Sequence, residues 1–147
     1  MKGKYRKSVF VVAYSKTGDK IRYLLLKRKL HWKGWEFPKG GAKYSEPGMK
    51  TARREIKEET GLKILRIKRF SVRGAYKYKK TFPDRGGYKG QSYVLYAVET
   101  KKGKVKIDRK EHLGYKWLEF EKAVKKITFP NQKRCLKAVN EWLINKK

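Results

Sequence analysis

A chain of 147 residues and 17.4 kDa is long enough to bury one core unaided, and its one cysteine excludes an intrachain disulfide scaffold. With 42 Lys+Arg against 13 Asp+Glu, the formal charge of +29 points to polyanionic partners such as nucleic acid or polyphosphate, although lysines in turns that face water in any case supply part of it. The 14% aromatic content excludes a disordered basic tail, and no apolar run reaches the length of a bilayer-spanning helix or a secretory core, so one domain over residues 1–147, cytoplasmic and without membrane contact, is expected.

In chain order, residues 8–14 and 21–28 read as strands joined by a turn at Gly18-Asp19, a β-hairpin. A loop rich in Trp and Gly follows. Residues 47–60 predict a helix: Pro47 suits its start, Gly48 is the one helix breaker and lies in the first turn, and Gly61 suits a left-handed C-terminal cap. Strands are predicted at 64–73 and 91–99, separated by a Gly- and Lys-rich loop around 83–90, with a further strand at 115–120 and a helical turn at 121–127. Residues 130–145 place Cys135, Leu136, Val139, Trp142 and Leu143 at the spacing of an amphipathic helix, which makes the cysteine a small core residue. Strands interspersed with two substantial helices give the α/β class, a mixed sheet covered by helices.

Acidic residues are scarce, yet three of the 13 fall at Glu55, Glu58 and Glu59 on the predicted helix. Spacings of three and four bring Glu55 near both of the others on one face, where like charges cost roughly 0.2–0.5 kcal/mol per pair. A divalent cation turns that penalty into ligation, because Mg²⁺ takes hard oxygen ligands from a few carboxylates and substrate phosphates. The alternative is a solvated face balanced by Arg53, Arg54 and Lys57.

The surrounding frame decides between them. Gly40, Glu46, Arg54, Glu55, Ile56, Glu58, Glu59, Gly61 and Leu62 follow the spacing G-x5-E-x7-R-E-U-x-E-E-x-G-U, where U is a bulky aliphatic. Seven fixed identities coincide by chance on the order of once per 10⁸ to 10⁹ positions. Read physically, Gly40 and Gly41 allow a tight turn and a close backbone approach to phosphate or metal. Glu46 stands at the helix entrance, where its carboxylate can meet free N–H groups, and Arg54 can pair with a neighbouring carboxylate. Ile56 and Leu62 are expected to face the core.

This pattern resembles the Nudix box, and the lead-in from Gly34 to Gly41 resembles that family's usual approach to it. The resemblance implies an α/β/α sandwich with the box as a loop–helix–loop. It also implies Mg²⁺ or Mn²⁺ held by Glu55, Glu58 and Glu59 with the backbone carbonyl of Lys39, Arg54 among the catalytic residues, and water attacking phosphorus. The segment Glu111-His112-Leu113-Gly114-Tyr115-Lys116-Trp117 resembles one found in diadenosine tetraphosphate hydrolases and in RNA 5′-pyrophosphohydrolases, which gives Glu111 the role of metal ligand or base and leaves His112 as a surface loop residue. Phe37-Pro38-Lys39-Gly40 and the tail are most like the asymmetric diadenosine tetraphosphate hydrolases, whereas Lys89-Gly90-Gln91 resembles the RNA enzymes. Arg28, Lys39 and Lys43 are candidate phosphate contacts, Gln91 a further substrate contact, and Tyr76, Tyr78, Tyr88 and Tyr93 candidates to stack on a base.

The function expected is pyrophosphohydrolysis of a nucleotide, in particular a dinucleoside polyphosphate, by a monomer or homodimer. Removal of pyrophosphate from RNA 5′ ends and hydrolysis of nucleoside triphosphates are the enzymatic alternatives. A basic RNA-binding module that keeps the fold without catalysis is the alternative of another class.

Overall fold

The computed structural model describes residues 4–30, 33–43, 45–78 and 88–145. The elements are β1 (Tyr5–Thr17), β2 (Lys20–Arg28), β3 (Gly34–Glu36), β4 (Lys39–Gly41), α1 (Gly48–Thr60), β5 (Ile64–Lys77), β6 (Gly90–Thr100), β7 (His112–Leu118), α2 (Phe120–Lys126) and α3 (Pro130–Asn145). The sheet order is β3-β2-β1-β6-β5, with β4 paired to β1 and β7 paired to β2. β1 and β6 run parallel and the other pairs are antiparallel, so the sheet is mixed.

Alternation along β1 sorts the core into two layers. Val9, Val11 and Ala13 join Leu24, Leu26, Tyr96 and Val98 under Ala52 and Ile56 of α1, whereas Phe10, Val12 and Tyr14 join Leu25 and Leu95 under Cys135, Leu136 and Val139 of α3. Helices therefore cover both faces, the α/β/α architecture expected. No helix among the described residues is long and apolar enough to cross a membrane.

The hairpin splays. β1 pairs with β2 only from Tyr14 to Thr17, and lower down it turns to β4, with Phe10 opposite Lys39 and Val9 opposite Gly40. β2 instead pairs with β7 and β3. The gap between the two strands is where the chain enters β4 and passes beneath α1.

Two stripes of α1, each of three residues spaced four apart, are buried side by side. Ala52, Ile56 and Thr60 lie next to Thr51, Glu55 and Glu59, so two of the three box carboxylates border the core rather than solvent. The helix stops where the sequence indicated: Gly61 has φ 70° and its N–H donates to the Lys57 carbonyl at 3.0 Å. A Cβ at this position would have its nearest neighbour 3.5 Å away, so substitution is opposed by φ and not by crowding. Gly61→Val should cost more than about 1 kcal/mol in chemical denaturation. An unchanged midpoint would contradict the left-handed cap.

Several boundaries differ from the sequence reading. Residues 34–36 and 39–41, read as loop, form the two short strands β3 and β4, and β5 runs four residues beyond Arg73. β7 begins at His112 rather than Tyr115, because the register of β2 carries Arg28 opposite His112 across a bulge. The loop around 83–90 falls largely outside the described residues, as do His31 and Trp32 of the Trp-rich loop.

Candidate active site

Arg54 organises the box. Its Nε and Nη2 donate to the two oxygens of Glu46 at 2.9 and 2.8 Å, its Nη1 to Glu55 at 2.9 Å and Glu58 at 3.0 Å, and Nη2 also reaches the Gly41 carbonyl at 2.9 Å. The forked geometry makes these charge-assisted bonds directional. Glu46 does not cap the helix as its place in the sequence suggested. Pro47 is the N-cap, without a side-chain hydrogen bond, and Glu46 instead accepts from Arg54, the Lys43 N–H and the Thr51 hydroxyl. The Arg54 hydrogen bond, ahead of the others, holds the Glu46 carboxyl well below the usual carboxylate range.

β4 lies against the same helix face. The Lys39 N–H donates to Glu59 Oε1 at 2.9 Å, and the Glu55 carboxylate occupies the space that a Cβ on Gly40 would fill. Gly40 is thus needed for close approach to a carboxylate, not for a tight turn. Glu55 and Glu59 are 9% and 6% exposed, while the side chain of Glu58 is 54% exposed.

A second group of charged side chains closes the floor. Glu36, fully buried, meets Arg28 Nη1 at 3.2 Å, Lys39 Nζ at 3.7 Å and His112 Nε2 at 2.9 Å. Arg28 also reaches Glu111 at 3.1 Å, and ligand atoms of Glu59, Glu111 and His112 all lie within 4.8 Å of one another. Burial raises the Glu36 pKa, but Lys39, the His112 hydrogen bond and Arg28 outweigh it and bring it to about 2.

The box carboxylates shift the other way. Burial first, with Glu58 and Glu111 adding, pushes Glu55 up to about 7 against the pull of Arg54. Glu59 is raised well above the usual range by burial, then by Glu55, Glu36 and Glu111. Burial lowers the Lys39 ammonium, opposed chiefly by Glu36.

These residues fit a divalent cation. Glu36, held ionised, can only accept, so His112 Nε2 carries the proton and in the neutral ring Nδ1 presents a lone pair. That Nδ1 is buried without a hydrogen-bond partner and lies 3.9 Å from Glu59 Oε2. An orphaned buried donor atom beside buried, mutually repelling carboxylates is the electrostatic deficit that a hard cation relieves.

The structure brings Arg28, Lys39, Arg54, Glu55, Glu58, Glu59 and Glu111 into this one cluster. Lys43 is exposed on the connection into α1, and its N–H bonds Glu46. Among the tyrosines, Tyr76 is half-buried with its hydroxyl 3.4 Å from Lys39 Nζ, and Tyr88 is half-buried. The Tyr78 hydroxyl donates to Gln91 at 2.7 Å, and Gln91 is 1% exposed. Tyr93 stacks on Phe10 at 3.9 Å and 3° and is 2% exposed, so packing in the α3 layer leaves its ring no open face for a base. His112, expected on the surface, is 1% exposed because β7 starts at it. Sequence reasoning missed Glu36 altogether. Its signal was a carboxylate in an otherwise apolar Trp35-Glu36-Phe37-Pro38 run of a strongly basic chain.

The NUDIX domain family matches residues 4–139. The asymmetrical bis(5'-nucleosyl)-tetraphosphatase of Mus musculus is 27% identical over 123 residues, which cover 84% of this chain and 81% of the mouse protein. A C. elegans Ap4A hydrolase binary complex superposes with a TM-score of 0.75 at 24% identity, over 95% of this chain and 98% of that one. The E. coli dihydroneopterin triphosphate pyrophosphohydrolase gives 0.73 at 19% identity, over 91% and 95%. At such identities the two solved structures establish a shared fold and nothing finer. The match over residues 4–139, running through the intact box, shows that this chain belongs to the NUDIX family of hydrolases.

Proposed function

We propose that this protein is a metal-dependent pyrophosphohydrolase that opens a phosphoanhydride bond in a dinucleoside polyphosphate of the diadenosine tetraphosphate kind. The observation that carries the reading is the convergence of buried Glu59 and half-buried Glu111 on His112 Nδ1, which lacks a hydrogen-bond partner, with buried Glu55 beside them on α1. The similarity to the mouse tetraphosphatase across most of both chains supports the substrate class.

Glu55, Glu58, Glu59 and Glu111, with the backbone carbonyl of Lys39, whose N–H already bonds Glu59, would be the donors for Mg²⁺ or Mn²⁺. When bound, such a cation supplies Lewis acidity toward phosphate oxygens. Arg54 positions Glu55 and Glu58, and the Lys39 N–H positions Glu59. Water adds to one phosphorus, the P–O–P bridge opens with the departing phosphate taking the electron pair, and the proton of the attacking water passes to a carboxylate. Glu111 suits that task, being 35% exposed and hence reached by solvent while Arg28 fixes it. Lys43, Tyr76 and Tyr88 are the substrate contacts nearest the surface; Arg28 and Lys39 hold the floor, and Tyr78 and Gln91 act through each other.

The charge of +29 favours a second reading, removal of pyrophosphate from RNA 5′ ends. Product analysis with Mg²⁺ over dinucleoside polyphosphates, triphosphorylated RNA and single nucleotides separates the two. The expected result is preferential cleavage of diadenosine tetraphosphate into unequal nucleotides. Efficient, length-dependent pyrophosphate release from RNA, with negligible cleavage of the tetraphosphate, would reassign the substrate.

A further inference from the structure

A cleft of 730 Å³ lies on the α1 side of the sheet, away from Glu111 and His112, at the opposite end of α1 from Glu59. Gly48 and Ala42 bound it on one side, Val9, Val94 and Ala75 contribute apolar floor, and Lys7, Arg69 and Arg73 are its cations. From Gly48 to Glu59 the helix rises about 16 Å, so the cleft lies that far along α1 from Glu59, and of the groups that Arg54 holds only Glu46 lines it.

The cations are placed by the sheet. β5 bulges between Arg69 and Arg73, so that these residues, four apart in sequence, stand opposite Tyr96 and Val94, only two apart on β6. Both arginines therefore face the α1 side, about 7 Å apart along the strand direction. Lys7 lies across the sheet opposite Ser92 of β6. All three cations are exposed, and no carboxylate among the described residues pairs with any of them. The one acidic residue lining the cleft, Glu46, is already held by both nitrogens of the Arg54 fork.

We propose that this cleft is a second binding site, for the backbone and bases of single-stranded RNA. Successive cations along one rim meet successive phosphates, and the apolar floor accepts base faces that an inorganic phosphate chain lacks. The volume suits one or two nucleotides and excludes a duplex. The site stands independently of the proposed hydrolysis. It gives part of the +29 charge a location and a partner.

Fluorescence anisotropy of a labelled 5′-hydroxyl octauridylate, titrated with full-length protein over a salt series, tests it without engaging 5′-phosphate chemistry. Arg69→Gln/Arg73→Gln should weaken binding about tenfold at low salt and make the log–log salt slope shallower by about 1.4, at about 0.7 for each phosphate no longer neutralised. Lys101→Gln/Lys102→Gln/Lys104→Gln, which removes more charge from exposed positions outside the cleft, should change affinity less than about twofold. Neither variant should alter turnover of diadenosine tetraphosphate, so failure here is separable from failure of the hydrolase reading. Equal weakening by both variants, or none by the arginine pair, would overturn the site. Competition by inorganic polyphosphate or ATP as strong as that by unlabelled octauridylate would overturn the assignment to RNA.

Discussion

Glu59→Gln should lower turnover by at least about 10²-fold if Glu59 is the metal ligand proposed above. The same change should leave the metal-free protein as stable as the parent or more so. Glu59 is buried among Glu55, Glu36 and Glu111, and an amide still accepts the Lys39 N–H while removing one like charge. The direction with pH follows from the raised pKa values. Glu55 titrates near 7 in the folded chain against an ordinary value of 4.5, so its contribution to stability is fully present below about 4.5 and is lost as pH rises through 7. Glu59 is displaced in the same sense. The stability gap between Glu59→Gln and the parent should therefore open from pH 5 to pH 8 in thermal denaturation with chelator present. Near-normal turnover of the variant would contradict its role in the site.

Gly40→Ala is expected to cost about as much activity while sparing the fold. The new methyl group would occupy the place of the Glu55 carboxylate, and because that is the end of a flexible side chain it can swing away at little cost in stability. A displacement of about 1 Å at a reacting centre is worth about 10²-fold. The melting temperature should fall by no more than a few degrees. If the methyl acts through Glu55, combining Gly40→Ala with Glu55→Gln should be no slower than Glu55→Gln alone. Additive losses would mean that Gly40 is needed for some other reason.

What could be read from the sequence was whatever local rules determine. The helix over α1, its left-handed end at Gly61 and the amphipathic α3 follow from caps and periodicity within a few turns. The box drew attention to Glu55, Glu58 and Glu59 because acidic residues at these spacings are conspicuous in a chain so rich in lysine. The buried network of Arg28, Glu36, Lys39 and His112 could not be read in this way. Each is charged or polar in a basic sequence and taken singly reads as surface, and they are buried because β2, β3, β4 and β7 meet at the splayed end of the hairpin. That meeting depends on three-residue strands too short to leave a periodic signal. Tyr93, a candidate from sequence to stack on a base, is instead set flat against Phe10 by the pairing of β1 with β6, a long-range contact that sequence alone does not show. Glu46 was drawn to the helix entrance by its position, but Arg54, two turns along the helix, offers it a charged fork that capping N–H groups cannot match.

The proposed reaction has the carboxylates act through a divalent cation. The most direct test is the turnover of diadenosine tetraphosphate by chelator-stripped protein as Mg²⁺ is titrated at pH 6 and at pH 8. Turnover should be absent before addition and rise saturably with Mg²⁺. Because Glu55 near 7 must lose its proton to bind a cation, half-saturation should require markedly more Mg²⁺ at pH 6 than at pH 8. Undiminished hydrolysis in excess chelator would contradict the metal-dependent reaction.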